Sequence, residues 1–193
     1  MIYLLDHRDS FTWNIVHLLE EFEPVQVVDA LAHQPYPQPQ ATDFVVLSPG
    51  PGSPEDYPRS LEWYRQLPSS TPVFGICLGF QMMAYEAGAE IIRMPEVLHG
   101  VCTTLNAHSD DFLHRGVPLP IEVGRYHALT IRENENLARM YEVTAVDSTN
   151  GLPLAIEHLT LPRVGVQYHP DSFLTKYGFQ IVQNIYTELG RWR

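Results

Sequence analysis

The stretch PVFGICLGFQMMAYEAG, residues 72–88, changes character at Cys77. PVFGI, residues 72–76, is a short apolar run of the kind buried in a parallel sheet. FQMMAYEAG, residues 80–88, reads as a helix stopped by Gly88. Between them Cys77 is flanked by Gly75 and Gly79. A sharp strand-to-helix turn crowds two backbones together, and glycine on both sides avoids the clash, as in the G-x-S-x-G elbow of serine hydrolases. Such a turn lifts the side chain off the sheet edge. It also sets the sulfur at a helix N-terminus, where the dipole favours thiolate over thiol and free N–H groups can hold an oxyanion. The same turn could house an inert buried cysteine, so the surrounding sequence has to decide. Cys102, in HGVCTTL, has no glycine flanks and reads as a core residue.

Upstream, strand and helix patterns alternate. IYLL is a buried-strand run. SFTWNIVHLLEEF follows with Phe11, Ile15, Leu18, Leu19 and Phe22 at helical spacing, and Asp9 or Ser10 can cap its start. VQVVD (25–29) is a second strand, and the segment with Pro35, Pro37 and Pro39 is a loop. DFVVLS (43–48) is a third strand, PGPGSPEDYP a long turn, and residues 59–67 a helix. Downstream, VCTTLNA, IEVGRY, ALTIR, YEVTAVD and PLAIEH are β-rich, with a turn at STNG (148–151). RVGVQY (163–168) is a further strand. KYGFQIVQNIYTELG closes the chain as a helix with Phe179, Val182, Ile185, Tyr186 and Leu189 on one face. The pattern predicts a single domain over residues 1–193. Its fold class is α/β: a flavodoxin-like, open, mostly parallel sheet, helices on both faces, and a β-rich second half.

Composition narrows the function classes. The 193 residues are 45% hydrophobic and carry a net charge of −11 with no basic run. Nucleic acid and anionic membranes demand clustered Lys and Arg, so neither is expected as a partner. No apolar run is long enough to span a bilayer. Two cysteines cannot build a disulfide framework, and the chain reads as a cytoplasmic protein with reduced thiols. His99 and Cys102 have ligand-like spacing, but the remaining histidines are irregular, and no metal or other cofactor is expected.

A thiolate nucleophile needs a proton shuttle. His169 directly follows the strand VGVQY, at the sheet edge where open parallel sheets gather their active sites. Asp171 comes two residues later, and a carboxylate there could fix the imidazole tautomer. Alone, His169 could be a loop residue and Asp171 a helix cap; with the cysteine turn they compose a candidate triad. SPGPGSPED (48–56) also follows a strand. Gly50 or Gly52 can offer an N–H that, with the N–H of Leu78, would make a two-donor oxyanion hole.

With those pieces together, the chain resembles the class I (triad) glutamine amidotransferases. It looks most like the glutaminase component of anthranilate synthase or aminodeoxychorismate synthase. The matching segments are LLDHRDSFTWNI, LSPGPGSP, GICLGFQ, GRYHALTI and QYHPDSFLT, in the family's order and across nearly the whole chain. The resemblance implies Cys77 as nucleophile with His169 and Asp171 completing the triad. It implies main-chain donors at Gly50, Gly52 and Leu78, a contact from Gln81 to the amino-acid part of L-glutamine, and backbone contacts from Ala128 and Leu129. It further implies a chorismate-binding synthase subunit (component I) as partner in a hetero-oligomer. Where the family usually has Glu, His and Ser, this chain has Asp171, Phe80 and Ala128, and HGVC lacks the usual Lys. Two other readings stay open: a catalytically eroded subunit of the same complex, and a different cysteine hydrolase on a similar sheet.

Overall fold

A computed structural model describes residues 1–108 and 111–191. Among the described residues eleven strands run in chain order: β1 (Ile2–Asp6), β2 (Val25–Asp29), β3 (Phe44–Leu47), β4 (Val73–Ile76), β5 (Glu90–Arg93), β6 (Val101–Ala107), β7 (Ile121–Arg125), β8 (Leu129–Arg132), β9 (Tyr141–Asp147), β10 (Pro153–His158) and β11 (Arg163–Val166). The helices are α1 (Thr12–Glu20), α2 (Pro58–Gln66), α3 (Leu78–Glu86), α4 (Glu135–Ala138) and α5 (Gly178–Gly190), with a short 3₁₀ turn at Pro54–Asp56. Nine strands form one sheet in the order β2-β1-β3-β4-β11-β10-β9-β6-β7, and β5 pairs with β8 separately. From β2 to β11 the neighbours are parallel; from β11 to β7 they are antiparallel. The β-rich second half is thus an antiparallel wing on a parallel sheet.

The period-two alternation along the central strands decides which helix packs where. Leu4, Phe44, Val46, Phe74 and Ile76 join Ile15 and Leu19 of α1 and Ile181 and Ile185 of α5 in one buried cluster. Their neighbours Leu5, Val45, Leu47 and Val73 join Trp63 and Tyr64 of α2 and Phe80, Met83 and Ala84 of α3 in another. The central strands β3, β4 and β11 are buried at every residue, which is why they read as continuous apolar runs.

The glycine pair around Cys77 has a steric cause. A Cβ on Gly75 would lie 2.7 Å from the Gly79 carbonyl carbon, and one on Gly79 would overlap the Leu47 carbonyl oxygen. Helix α3 therefore seats directly on β3 and β4, and any side chain at residue 79 would push it away.

Several expectations need correction. Neither Asp9 nor Ser10 caps α1: Phe11 is the N-cap residue, and the Asp9 carboxylate accepts the Phe11 N–H at 2.8 Å one step earlier. Phe11 consequently leaves the core face of that helix. Cys102 is exposed rather than buried, because it stands with Val101 at the exposed start of β6 in the antiparallel wing, where of the seven strand residues Leu105 alone is fully buried. Phe179 is half exposed, although it stacks on Phe22 at a centroid distance of 5.8 Å.

Candidate active site

Cys77 links β4 to α3 with φ +52° and ψ −98°. A non-glycine residue in that conformation costs on the order of 1–3 kcal/mol and persists only where its surroundings enforce it. Here Cys77 N donates to Val166 O at 2.8 Å, and Gln81 N donates to Cys77 O at 3.0 Å. The residue is therefore gripped by the neighbouring strand and by its own helix. Strands β4 and β11 pair in parallel with Ile76 opposite Val166, so the residues after each strand emerge on one rim. That places Gln167 and His169 beside Cys77.

The turn after β11 is anchored on three sides. His169 N donates to Gly124 O at 2.9 Å, and Thr175 Oγ1 donates to His169 O at 2.7 Å. The imidazole lies between Phe11 and Tyr126, each at a centroid distance of 5.0 Å. The His169 and Asp171 side chains are almost wholly buried, 1% and 0% exposed, with Nδ1 and Oδ1 3.5 Å apart. That separation is an ion pair without a hydrogen bond, and all four polar atoms of the two side chains lack a hydrogen-bond partner. Burial alone would lower the affinity of His169 for its proton; Asp171 and the Cys77 sulfur outweigh it and raise the imidazole to about 10. Cysteine, imidazole and carboxylate are thus brought together, with the carboxylate paired to the imidazole but not hydrogen-bonded to it.

The proline-glycine loop reaches the same rim. A Cβ on Gly50 would lie 2.8 Å from Leu78 Cδ2, so the loop rests on the residue that follows Cys77. Tyr57 Oη donates to Pro51 O at 2.9 Å, and Ser53 N donates to Asp56 Oδ2 at 2.7 Å within the turn that follows Gly52. His7 was unassigned in the sequence reading. It lies beneath the loop, with His7 N donating to Ser48 Oγ at 2.9 Å and its ring nitrogens 3.1 Å from Ser48 Oγ and 3.2 Å from Ser60 Oγ. Its signal is its place at the end of β1, on the rim that carries the other site residues.

On the far side of Cys77, Gln81 Nε2 donates to Leu129 O at 2.9 Å and to Gln167 Oε1 at 3.1 Å. Both amide hydrogens are spoken for, so only its Oε1 can meet a ligand, as an acceptor. Ala128 and Leu129 are half-buried, and Ala128 O accepts from Met94 N at 2.8 Å. Phe80 is fully buried in the α2–α3 cluster against Gly165. His99 packs on Tyr126, His114 bonds Asp111 and Tyr168 in the core, and His108 pairs with Glu142 at the surface. Among the described residues, no three His, Cys, Asp or Glu side chains gather as metal ligands would.

The profile of the family described as Glutamine amidotransferase class-I matches residues 3–189. The chain belongs to that family. It is 34% identical to the anthranilate synthase component II of Haloarcula marismortui, over 99% of this chain and 100% of that one. It is 35% identical to the aminodeoxychorismate synthase component 2 of Escherichia coli, over 95% and 98%. The fold is that of a glutamine amidotransferase from Thermotoga maritima, with a TM-score of 0.76, 16% identity, and coverage of 98% of this chain and 97% of that one.

The buried histidines dictate a pH response. His7 is pushed down to about 4 by burial, and His127 to about 3 by burial and the Arg125 charge. The unfolded chain takes up a proton at each below the ordinary histidine value of 6.5, which the folded chain refuses, so stability falls as pH drops from 6.5 toward 4. His169 acts with the opposite sign. The folded chain keeps between 6.5 and about 10 a proton that the unfolded chain releases, so that stabilisation is whole below 6.5 and lost as pH rises through 10. Urea midpoints at about pH 4.5, pH 7 and pH 9.5 are expected to peak at the middle value, and His169→Gln to flatten the alkaline side only.

Proposed function

We propose that the chain is the glutaminase subunit of a chorismate-aminating synthase, hydrolysing L-glutamine in the cytoplasm through Cys77, His169 and Asp171. The Cys77 thiolate attacks the side-chain amide carbon of glutamine, and the oxyanion is held by main-chain N–H groups of Leu78 and the Gly50–Gly52 loop. The imidazolium of His169 gives its proton to the departing nitrogen, and ammonia leaves. Neutral His169 then takes a proton from water, which attacks the thioester; glutamate departs, and thiolate and imidazolium are restored. Asp171 holds the imidazole charge from behind. Gln81 Oε1 accepts from the α-ammonium group of the substrate, and the Ala128–Leu129 backbone meets its other end. Ammonia passes to the chorismate-binding component I.

The observation that carries this reading is the meeting of Cys77 and His169 at the ends of adjacent parallel strands, with the Asp171 carboxylate buried beside the imidazole. The test is glutamate release by the purified chain, alone and with its co-purified synthase subunit, with chromatography of the aminated product. Turnover that requires the subunit supports the proposal. Near-equal identity to relatives named for two different synthases leaves the product to that chromatography. One observation favours an eroded subunit instead: the Asp171 carboxylate makes no hydrogen bond to His169. Absence of glutamate release from an intact complex that still uses ammonia would establish it.

A further inference from the structure

A continuous row of hydrogen bonds runs from the Cys77 sulfur to Asp147. Gln167, fully buried, donates Nε2 to Cys77 Sγ at 3.6 Å. Its Oε1 accepts from Gln81, which also donates to the Leu129 carbonyl. His127 Nδ1 meets that carbonyl at 2.7 Å, and His127 Nε2 meets Arg125 Nε at 2.9 Å. Arg125 Nη1 donates to Asp147 Oδ2 at 2.7 Å, closing the row on a buried ion pair.

The far end fixes the direction of every link. A guanidinium can only donate, so His127 Nε2 accepts and its proton sits on Nδ1, facing the Leu129 carbonyl. That carbonyl can only accept, so the Gln81 amide turns its NH₂ toward it. The second Gln81 hydrogen requires the oxygen of Gln167, and the NH₂ of Gln167 is left facing the sulfur. Flipping Gln81 would set its oxygen against the Leu129 and Gln167 oxygens, and flipping Gln167 would set NH₂ against NH₂ and oxygen against the sulfur, at a cost of about 1–3 kcal/mol for each unmade bond. A thiolate is a much better acceptor for that N–H than a thiol.

We infer that Gln167 is a further catalytic residue, whose amide N–H holds and aims the Cys77 thiolate, with Gln81 and the Arg125–Asp147 pair fixing the amide's direction. The inference rests on Cys77 as nucleophile. The same bond serves twice. It steadies the sulfur before attack, and it receives the thiolate again when water expels it from the thioester.

The test uses Gln167→Met, nearly isosteric but without a donor, and Gln167→Glu, which turns a carboxylate to the sulfur. Both are made in a Cys102→Ser background, so that Cys77 is the sole thiol. Iodoacetamide alkylation of Cys77 across pH is read without glutamine, and kcat and KM for glutamine are read in the complex. Alkylation at neutral pH is expected to fall about tenfold in Gln167→Met and further in Gln167→Glu, with kcat down about tenfold to hundredfold and KM little changed. The urea midpoint of each variant and its co-purification with the synthase subunit are retained, which reports an intact fold. Alkylation profiles and kcat superimposable on the parent in both variants would overturn the assignment. A parent that alkylates with this dependence on Gln167 yet releases no glutamate would instead overturn the glutaminase reading alone.

Discussion

Replacing Cys77 with alanine is expected to cut glutamine-dependent product formation by the reconstituted synthase to less than about a thousandth of the parent rate. The substitution removes only the sulfur. Alanine keeps the Cβ, so the elbow conformation and its two backbone hydrogen bonds to Val166 and Gln81 remain available. The proposed binding groups and oxyanion donors stay in place, yet without the sulfur they have no attacking atom to assist. The exposed Cys102 stands in another strand, away from the rim where β4 and β11 end, so it cannot substitute. Ammonia supplied directly bypasses the thiol, and the complex is expected to use it at an unchanged rate. Glutamate release and ammonia-fed amination, measured on one preparation, separate the two. Glutamine turnover surviving in Cys77→Ala would remove the thiol from the mechanism.

Asp147→Ala is expected to lower folding stability by about 3–5 kcal/mol, read as a shift of the urea midpoint. Arg125 is fully buried, and its guanidinium meets Asp147 Oδ2 at 2.7 Å. Removing the carboxylate strands a charge that cannot reach water. It also takes away Asp147 Oδ1, which accepts the Thr149 N–H at 2.9 Å and holds the turn after β9. The double replacement Arg125→Met with Asp147→Leu leaves no buried charge and should recover most of the loss, a non-additivity that marks true coupling. Equal losses in the single and double variants would mean that the turn, and not the ion pair, carries the effect. Because Arg125 orients His127 and through it the Leu129 carbonyl, the double variant is expected to fold well and to bind glutamine poorly.

The contrast between these two residues marks what the sequence discloses. The turn at Cys77 was legible because its demand is local: the glycines two residues to either side answer to close approach of the Leu47 backbone, the Met83 sulfur and the facing turn. His169 was legible because position at a strand end is a local property, and parallel pairing then delivers it to the rim. Arg125 was not. An arginine closing the strand IEVGR normally faces solvent, and its burial follows from the antiparallel register of β7 on β6 and of β6 on β9, which no local pattern specifies. Strand β5 and helix α4 were missed for a related reason: EIIR and ENLA are too short for periodicity to show, and each takes its form from a partner element. The direction in which the Asp171 carboxylate points was equally hidden, since it depends on packing around a single short side chain.

Strand β11 lies between β4 and β10, yet it is built from residues 163–166 of a chain of 193. During synthesis the parallel half and the antiparallel half must both wait for it, each with an unfilled edge where the other belongs. A nascent chain stopped short of residue 163 contains the thiol but neither the base nor the amide that would face it. The groups that surround the Cys77 thiol thus arrive together with closure of the sheet, and an incomplete polypeptide leaving the ribosome carries that thiol without them.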